Sequence, residues 1–586
     1  MAGAGPPLSP TCNSPRPSSR ATTPPSMDHK TAKLTGEHAT SITPLPSPAH
    51  DRDMASAVPA STPAKRHVVM PAFQTGESPA TSRWEIWSWY MYYVGANGVA
   101  LFNFGPTAFQ NLLAQAAGDT KLLYFAGREH DVNSIVLLCN GISFAIQGVL
   151  FLVIGSYADF GTGRRWVLLV WSMIAYGIGF GWIGVHEADQ WKAGVGLYIV
   201  GLISYQVTLT YWTAAFPSLA RNTQHLREAR TAYENGELTR QELDRRDELE
   251  RSRLSNVGFC IQSVGEVVML AIIVGIMFGL KVDESTANNN WGLSVLITFS
   301  TACWLALSIP WFVLEKTRPG LQIPPGRNIV TAGLCQLYEA LSQIWRLKQS
   351  LVYLAGYFFL GDSLNTTVTV ISTLQNEVVS YNTLTLTYLL IVGIVAQALG
   401  IGAFWVVQKR LQLSVKTMFN AIMVFIVILD GWGMLGNWTN RIGFHNVWEV
   451  WAFQAFYGLF VCPWYSYSQI MISSVTPRGH EFLFFSVFNI IGKASSLTGP
   501  LISSAIIDAT PGGTNNSAAF YFLFALSLVS AVGIWVFLDL DKSAEEQEDF
   551  LRQENRRIYG KEDEDDYDDD NNAGSGCGDR GKLSRK

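Results

Sequence analysis

Twelve stretches of roughly 20 mostly apolar residues recur along this chain, and each can cross the ~30 Å hydrocarbon layer of a membrane as a helix. They fall at 84–110, 134–157, 166–185, 193–216, 255–280, 292–314, 350–372, 385–407, 418–436, 448–474, 483–507 and 518–538. Hydrocarbon offers no hydrogen bonds, so such a stretch satisfies its backbone internally and is predicted to be helical. The expected fold is all-α and polytopic, with 12 transmembrane helices counted this way. The first run is the least clean, because Trp84, Trp87, Trp89, Tyr90, Tyr92 and Tyr93 crowd its start. Such a cluster suits an interfacial aromatic belt and leaves Glu85 near the headgroups. Only 15% of the 586 residues are charged, against about 25% in an ordinary soluble domain. The mean hydropathy is nonetheless only +0.17, so polar segments dilute an apolar body.

Those segments are the two ends. Residues 1–83 are read as a disordered Ser/Thr/Pro-rich tail, since 14 of the 24 prolines and 21 Ser or Thr fall before residue 83. Ser-Pro or Thr-Pro steps stand there at Ser9, Ser14, Thr23, Thr43, Ser47, Thr62 and Ser78, making kinases candidate partners of the tail. No signal peptide is expected at the N-terminus. Residues 539–586 are read as an acidic disordered tail, with eight acids in the nine residues 562–570. If both tails share one side, that side collects 36 Lys and Arg against 5 on the other. The excess places both termini in the cytosol.

Two cytosolic loops are long. Residues 217–254 carry Arg and Glu at helical spacing and read as a helical loop within an N-terminal six-helix half, 84–314. Residues 315–349 form a central cytosolic loop that separates it from a C-terminal six-helix half, 350–538. This six-plus-six layout resembles the major facilitator superfamily. Between the second and third runs stands Gly155-Ser-Tyr-Ala-Asp159-Phe-Gly161-Thr-Gly163-Arg164-Arg165. It is similar to the signature loop of that superfamily, with one extra residue between Asp159 and the paired arginines. Gly155 permits close helix approach, and Asp159 can accept from a neighbouring helix N-terminus or pair with Arg164 or Arg165. In the superfamily this cluster latches the halves together on the cytosolic side.

A second stretch is more specific. Thr476-Pro-Arg-Gly-His480-Glu481 leads into Phe484-Phe-Ser-Val-Phe-Asn489, then Gly492-Lys-Ala-Ser-Ser496 and Gly499-Pro500. With Tyr357-Phe-Phe-Leu-Gly-Asp362, Pro463-Trp-Tyr-Ser-Tyr-Ser468 and Ser252-Arg-Leu-Ser255, it resembles the autophagy-related protein 22 family. The resemblance spans roughly residues 84–540. It implies a vacuolar membrane transporter that exports amino acids to the cytosol after autophagic breakdown, with a preference for neutral ones such as leucine, isoleucine and tyrosine.

A charge inside the bilayer is costly and asks for a partner or a watery cavity. Three lie well inside runs: Glu266, Asp362 and Lys493. In the superfamily fold helices seven and eleven are neighbours, which predicts an Asp362–Lys493 pair. Glu266 has no basic partner in its own half and is a candidate proton-coupling group, so protons join amino acids and the lipid bilayer as expected partners. Asp430, near the lumenal end of its run, reads as solvated. The superfamily lines its central cavity with helices one, four, seven and ten. Asn97, Asn103, Gln206, Tyr211, Asn365, Gln454 and Tyr465 are therefore the substrate candidates beside the three charges. Gly95, Gly98, Gly105 and Pro106 make the first run breakable, as transport helices often are. Asn437 and Asn515 begin glycosylation sequons on the lumenal side.

Several classes are excluded. The chain has no G-x-x-x-x-G-K-[ST] phosphate loop, no G-x-S-x-G elbow and no His or Cys at metal-ligand spacing. No enzyme activity, metal or cofactor is expected. A net charge of −5 argues against nucleic acid as a partner, and seven scattered Cys argue against a disulfide scaffold. Two alternatives stay open: a carrier of the same fold for a sugar or organic acid, and a non-transporting membrane sensor or scaffold regulated through its N-terminal tail.

Overall fold

The computed structural model of the chain describes residues 68–74, 77–118, 122–282, 284–324, 328–378, 383–510 and 515–559. The Ser-Pro and Thr-Pro steps before Ser78 and the acidic run 562–570 lie outside them.

The first half opens with α1 (Arg83–Gly95), started by a capping box in which Ser82 Oγ accepts from the Glu85 amide at 3.1 Å. Gly98, at φ 90°, then turns the chain into a π-helical segment, Val99–Phe104, before α2 (Gly105–Ala117) resumes. Pro106 sits in the first turn of α2. It has no N–H to give back, and the widened turn before it absorbs the mismatch. A tight hairpin follows, β1 (Leu122–Phe125) and β2 (Arg128–Asp131), paired from Leu122 with Asp131 to Phe125 with Arg128. Its two turn residues, Ala126 and Gly127, both have positive φ, as such a hairpin turn demands. This small sheet departs from the all-α expectation.

Then come α3 (Val132–Ala158), α4 (Arg164–Gly181) and α5 (Trp191–Ala214), the short α6 (Phe216–Arg221) and α7 (Gln224–Glu234), the 41-residue α8 (Arg240–Leu280) and α9 (Thr286–Leu314). The expected loop helix and fifth span are thus one continuous helix, capped by Thr239 and Glu242. The link to the second half contains α10 (Ile329–Gln343). The second set of helices is α11 (Lys348–Val378), α12 (Thr383–Leu411), α13 (Val415–Leu435), α14 (Val447–Phe456), a second π segment Tyr457–Val461, α15 (Pro463–Ser474), α16 (Glu481–Asp508) and α17 (Ala519–Phe537). Pro463 follows this π segment as Pro106 follows the first.

Among the described residues, nine helices are long and apolar enough to cross a membrane. The other three expected spans are helical but interrupted or polar. The first and tenth are split by the π segments. The seventh, α11, carries Asp362, Ser363, Asn365, Thr366, Thr367 and Thr369 in mid-helix. Within each half, α1 packs on α9, α4 on α5, α11 on α17 and α13 on α17. Between halves, α3 packs along α16 and α8 along α12. In the first half Trp89 and Trp212 stack at 4.2 Å, and each indole N–H donates to the other's carbonyl, at 3.2 and 3.1 Å.

Residues 68–74, 77–82 and 540–559 pack on one end of the bundle, the tail face. Residues 540–559, expected within a disordered tail, form the amphipathic helix α18 (Leu540–Tyr559). Its apolar side buries Phe550 and Leu551. From the other end of the chain, Phe73 bridges Leu321, Gln74 donates to the Gly320 carbonyl at 2.9 Å and Thr81 to that of Asn222 at 2.8 Å.

Two acids differ from expectation. Glu85 is fully buried rather than at the headgroups. Its carboxylate takes a two-pronged contact from Arg318 at 2.8 and 2.9 Å and a bond from the Lys316 amide at 3.1 Å. Asp430 is not solvated. It is buried against α11, accepting from Thr367 at 2.6 Å and Ser363 at 3.1 Å. Hydrocarbon makes these local donors worth more than distant water.

Removing one partner of a buried pair leaves the other charge stranded, at about 3–5 kcal/mol. Glu85→Ala should therefore lower the thermal unfolding midpoint of the detergent-solubilised protein sharply, and far more than the exposed-pair control Glu284→Ala. Equal effects would show that the Glu85–Arg318 pair does not hold the tail face together.

Candidate substrate cavity and gate

The two broken helices are the first span of the first six and the fourth span of the second six. A cavity of about 200 Å³ lies between α5, α11, α15 and α16. Thr210 and Thr213 of α5, Tyr357 and Asn365 of α11, Tyr465 of α15 and Asn489 of α16 contribute its polar lining. Tyr357 stacks on Trp464 at 5.7 Å, and the Tyr465 hydroxyl meets that of Tyr457 at 3.0 Å. The wall is thus aromatic with hydroxyl and amide tips, suited to an apolar body with a polar end.

Of the expected substrate candidates, Asn365 and Tyr465 line this cavity. Gln206 is buried in α5. Asn97 sits in the break after α1, with Oδ1 accepting from the Val99 amide at 3.0 Å and Nδ2 buried without a partner. Asn103 is exposed on the π segment. Gln454 packs against Gly393 of α12 inside its own half. Tyr211 is 1% exposed and stacks at 5.7 Å on Phe482, so it belongs to the seal between the halves.

The three intramembrane charges are arranged differently from expectation. Asp362 and Lys493 do not pair. Asp362 accepts from the Gly499 amide at 2.8 Å, and neither residue takes part in an ion pair among the described residues. The reason is helical phase. Lys493 stands six residues before Gly499 on α16, about 240° round the helix. It points to the first half instead, with Nζ 5.4 Å from the ring centroid of Phe102 on the broken segment. Phe102 in turn stacks on Tyr205 at 5.7 Å. Glu266 is bonded by Gln262 at 2.7 Å, and Tyr93, Tyr205 and Cys462 lie within its electrostatic reach. Glu266 of α8 and Lys493 of α16 thus approach Tyr205 from opposite sides, Lys493 through Phe102.

The tail face is closed beneath the cavity. Gly155 lets α3 touch α16: a Cβ there would lie 2.7 Å from Ser486 Oγ and 3.2 Å from Leu483 Cα. Asp159 caps α16 across the interface, accepting from the Phe482 and Leu483 amides at 3.0 and 3.1 Å. An acid at a helix N-terminus is favoured by the helix dipole. Neither paired arginine bonds Asp159. Arg164 reaches Ser218 at 3.5 Å, while Arg165 bonds the Phe312 carbonyl and pairs with Glu315 at 3.8 Å. The extra residue before Arg164 carries the guanidinium groups past the carboxylate.

Sequence reading missed most of the other bonds across this gate. Arg221 pairs with Glu481. Arg251, held by Asp247 at 3.0 Å, donates to Ser473 at 2.8 Å and Ser474 at 3.0 Å. Ser255 and Ser466 share a 2.9 Å bond, and Gln397 reaches Ser263 at 2.8 Å. The charged members lie in the loops next to the apolar runs and the serines lie inside the runs, where nothing local announces a partner on another helix. On the far side, Asn437 and Asn515 bond each other at 3.2 Å, and the Asn437 amide also donates inward to the Met434 and Ser517 carbonyls.

Below the gate, α18 straps the halves together. Glu548 pairs with Arg240 of α8 at 2.7 Å, and Gln547 donates to the Ser474 carbonyl at 2.9 Å. Glu554 meets the buried His480 at 2.8 Å. Burial pulls His480 down, but Glu554, with Asp159 and Glu481 behind it, outweighs this and leaves it at about 9. A protonated ring also suits Gln336, 2.9 Å from Nδ1, whose amide oxygen otherwise lacks a partner. Turned over, that amide accepts the ring N–H.

A family model described as "Vacuole effluxer Atg22 like" matches residues 81–548. The chain is 23% identical to autophagy-related protein 22 of Gibberella zeae, over 86% of this chain and 86% of that one. It is 23% identical to autophagy-related protein 22 of Saccharomyces cerevisiae, over 73% of this chain and 83% of the relative. Among solved structures, the major facilitator superfamily proton:xylose symporter XylE matches with a TM-score of 0.51 at 11% identity, covering 80% of this chain and 98% of the symporter. That likeness establishes the major facilitator fold.

A His held above its ordinary value contributes its full stability below that value, near 6.5, and loses it as pH rises through about 9. Backbone hydrogen exchange of α18, corrected for intrinsic rate, should therefore accelerate between pH 6.5 and 9. The acceleration should disappear in His480→Gln. A wild-type profile flat across this range would exclude the His480–Glu554 contact as the clasp.

Proposed function

The chain belongs to the vacuole effluxer Atg22-like family, and from that premise we propose that it is a vacuolar-membrane secondary carrier moving amino acids to the cytosol by alternating access. Twelve helices cross the membrane in this reading, three of them being the broken first and tenth spans and the polar α11. The 36-to-5 distribution of Lys and Arg supports a cytosolic tail face. The polarity of those three spans is what a water-filled midplane site requires and what lipid contact forbids.

One observation carries the substrate class. Glu266 and Lys493 form no ion pair among the described residues, yet both face the broken first helix near Tyr205. A zwitterion supplies both missing counter-charges, its ammonium toward Glu266 and its carboxylate toward Lys493. A neutral sugar leaves both bare. The aromatic wall of Tyr357, Trp464 and Tyr465 favours large neutral side chains such as those of leucine, isoleucine and tyrosine. In this reading the shut tail face is the closed cytosolic gate. Export then needs the Asp159, Arg221 and Arg251 contacts to part while the far ends of the helices close.

Purified protein in liposomes should move labelled leucine, isoleucine or tyrosine, and failure to move any amino acid in a full panel would refute the proposal. Lys493→Gln should weaken apparent affinity about tenfold or more, the loss of one charge-assisted bond. Glu266→Gln should flatten the dependence of transport on pH, and an unchanged dependence removes Glu266 from proton coupling.

A further inference from the structure

A second cavity, about 130 Å³, lies in the tail-face gate. Five arginines line it, Arg164, Arg221, Arg230, Arg318 and Arg478, against two acids, Asp159 and Glu481. Two acids outside the lining also face these arginines: Asp247 faces Arg221, Arg230 and Arg478, and Asp244 faces Arg478. Glu481 is taken by Arg221, and Arg318 is already paired with Glu85. Arg164, Arg230 and Arg478 belong to no ion pair among the described residues. Arg318 is 4% exposed and its Nε lacks a partner, as does the buried Nε of Arg221. Crowding of like charge is costly where water is scarce. It shows in Arg478, which burial and the neighbouring Arg221 lower to about 10, and in Arg230, lowered by the same two causes. Guanidinium groups without a direct ion pair around a cavity offer donors that suit an anion.

The anion's source is in the same wall. Ser78, the first residue of a Ser-Pro step, lines the cavity, and Arg227 donates to its carbonyl at 2.9 Å. Of the seven such steps in the N-terminal segment, Ser78 is the one within the described residues. We propose that Ser78 is a phosphorylation site of a proline-directed kinase, and that its phosphate seats among Arg221, Arg230, Arg318 and Arg478 to lock the tail-face gate. The arginines come from both halves and the link between them: Arg221 and Arg230 from the first, Arg318 from the link, Arg478 from the second. A phosphoserine carries nearly two negative charges and three acceptor oxygens, enough to bridge them. The cavity exceeds the ~30 Å³ share of a water several-fold, so it has room for the group. Kinase access rests on the cytosolic placement of this face. Sealing of the gate does not depend on which solute is carried.

The test places phosphoserine at position 78 of the full-length protein by genetic encoding, so neither a kinase nor transport is needed. The readout is amide exchange of the peptide holding Gln74 and Thr81, whose N–H groups bond Gly320 and Asn222. Exchange should slow about tenfold on phosphorylation. The slowing should vanish in Arg478→Gln and Arg230→Gln, both of which leave the Asp159 cap intact. Phosphoserine at Ser47 should give no slowing. Unchanged or faster exchange in the Ser78 form overturns the proposal, as does slowing that survives both arginine variants. Equal slowing of the unmodified protein by inorganic phosphate overturns the assignment to Ser78 and makes the cavity a free-anion site.

Discussion

Hydrocarbon cannot hydrogen-bond, and nearly every feature of this molecule follows from that. It forces the backbone into helices, and it forces each buried polar side chain to find a partner within a turn or across a packed face. Asp362 borrows the Gly499 amide just ahead of Pro500, where α16 already has a proline in its ladder. Asp430 takes two hydroxyls of α11. Thr and Ser elsewhere bond back to carbonyls of their own helices. Against that background, Glu266 and Lys493 stand out because both lie beside the aromatic groups around the broken first helix, Glu266 near Tyr205 and Lys493 over Phe102.

The same constraint explains where the halves separate. Dry helix packing and hydrogen bonds concentrate at the tail face, through Gly155, Asp159, Arg221 and Arg251. The middle of the bundle is left to two π segments and a polar helix, which leave room between the halves rather than sealing them. The tail face is reinforced from outside by α18 and by the residues before α1, both polar segments that reach across to the opposite half. A gate of this kind has several independent bonds, each modest, and opens by parting them together.

Much of this was legible in the residues. The runs of apolar residues, the glycines and Pro106 of the first span, and the Gly155–Asp159 loop all named their structural neighbourhoods from sequence. The pairing of charges was not legible. Whether Lys493 meets Asp362 or Phe102 depends on helical phase, which six residues of separation change by two-thirds of a turn. The pairing of Glu85 with Arg318 joins residues 233 apart, and nothing local announces it. The helix α18 was hidden by composition: its charged face reads as a tail until the buried Phe550 and Leu551 find the bundle.

The amino-acid sequence by itself determined that the chain carries membrane-spanning helices and which spans are too polar to face lipid. Those follow from transfer free energy, which sums along the chain residue by residue. Only the tertiary structure decided which charges are neutralised, which are left open and which end of the bundle is shut. Those depend on distances and directions between helices, and opposite charges a turn apart on the wrong face cannot find each other.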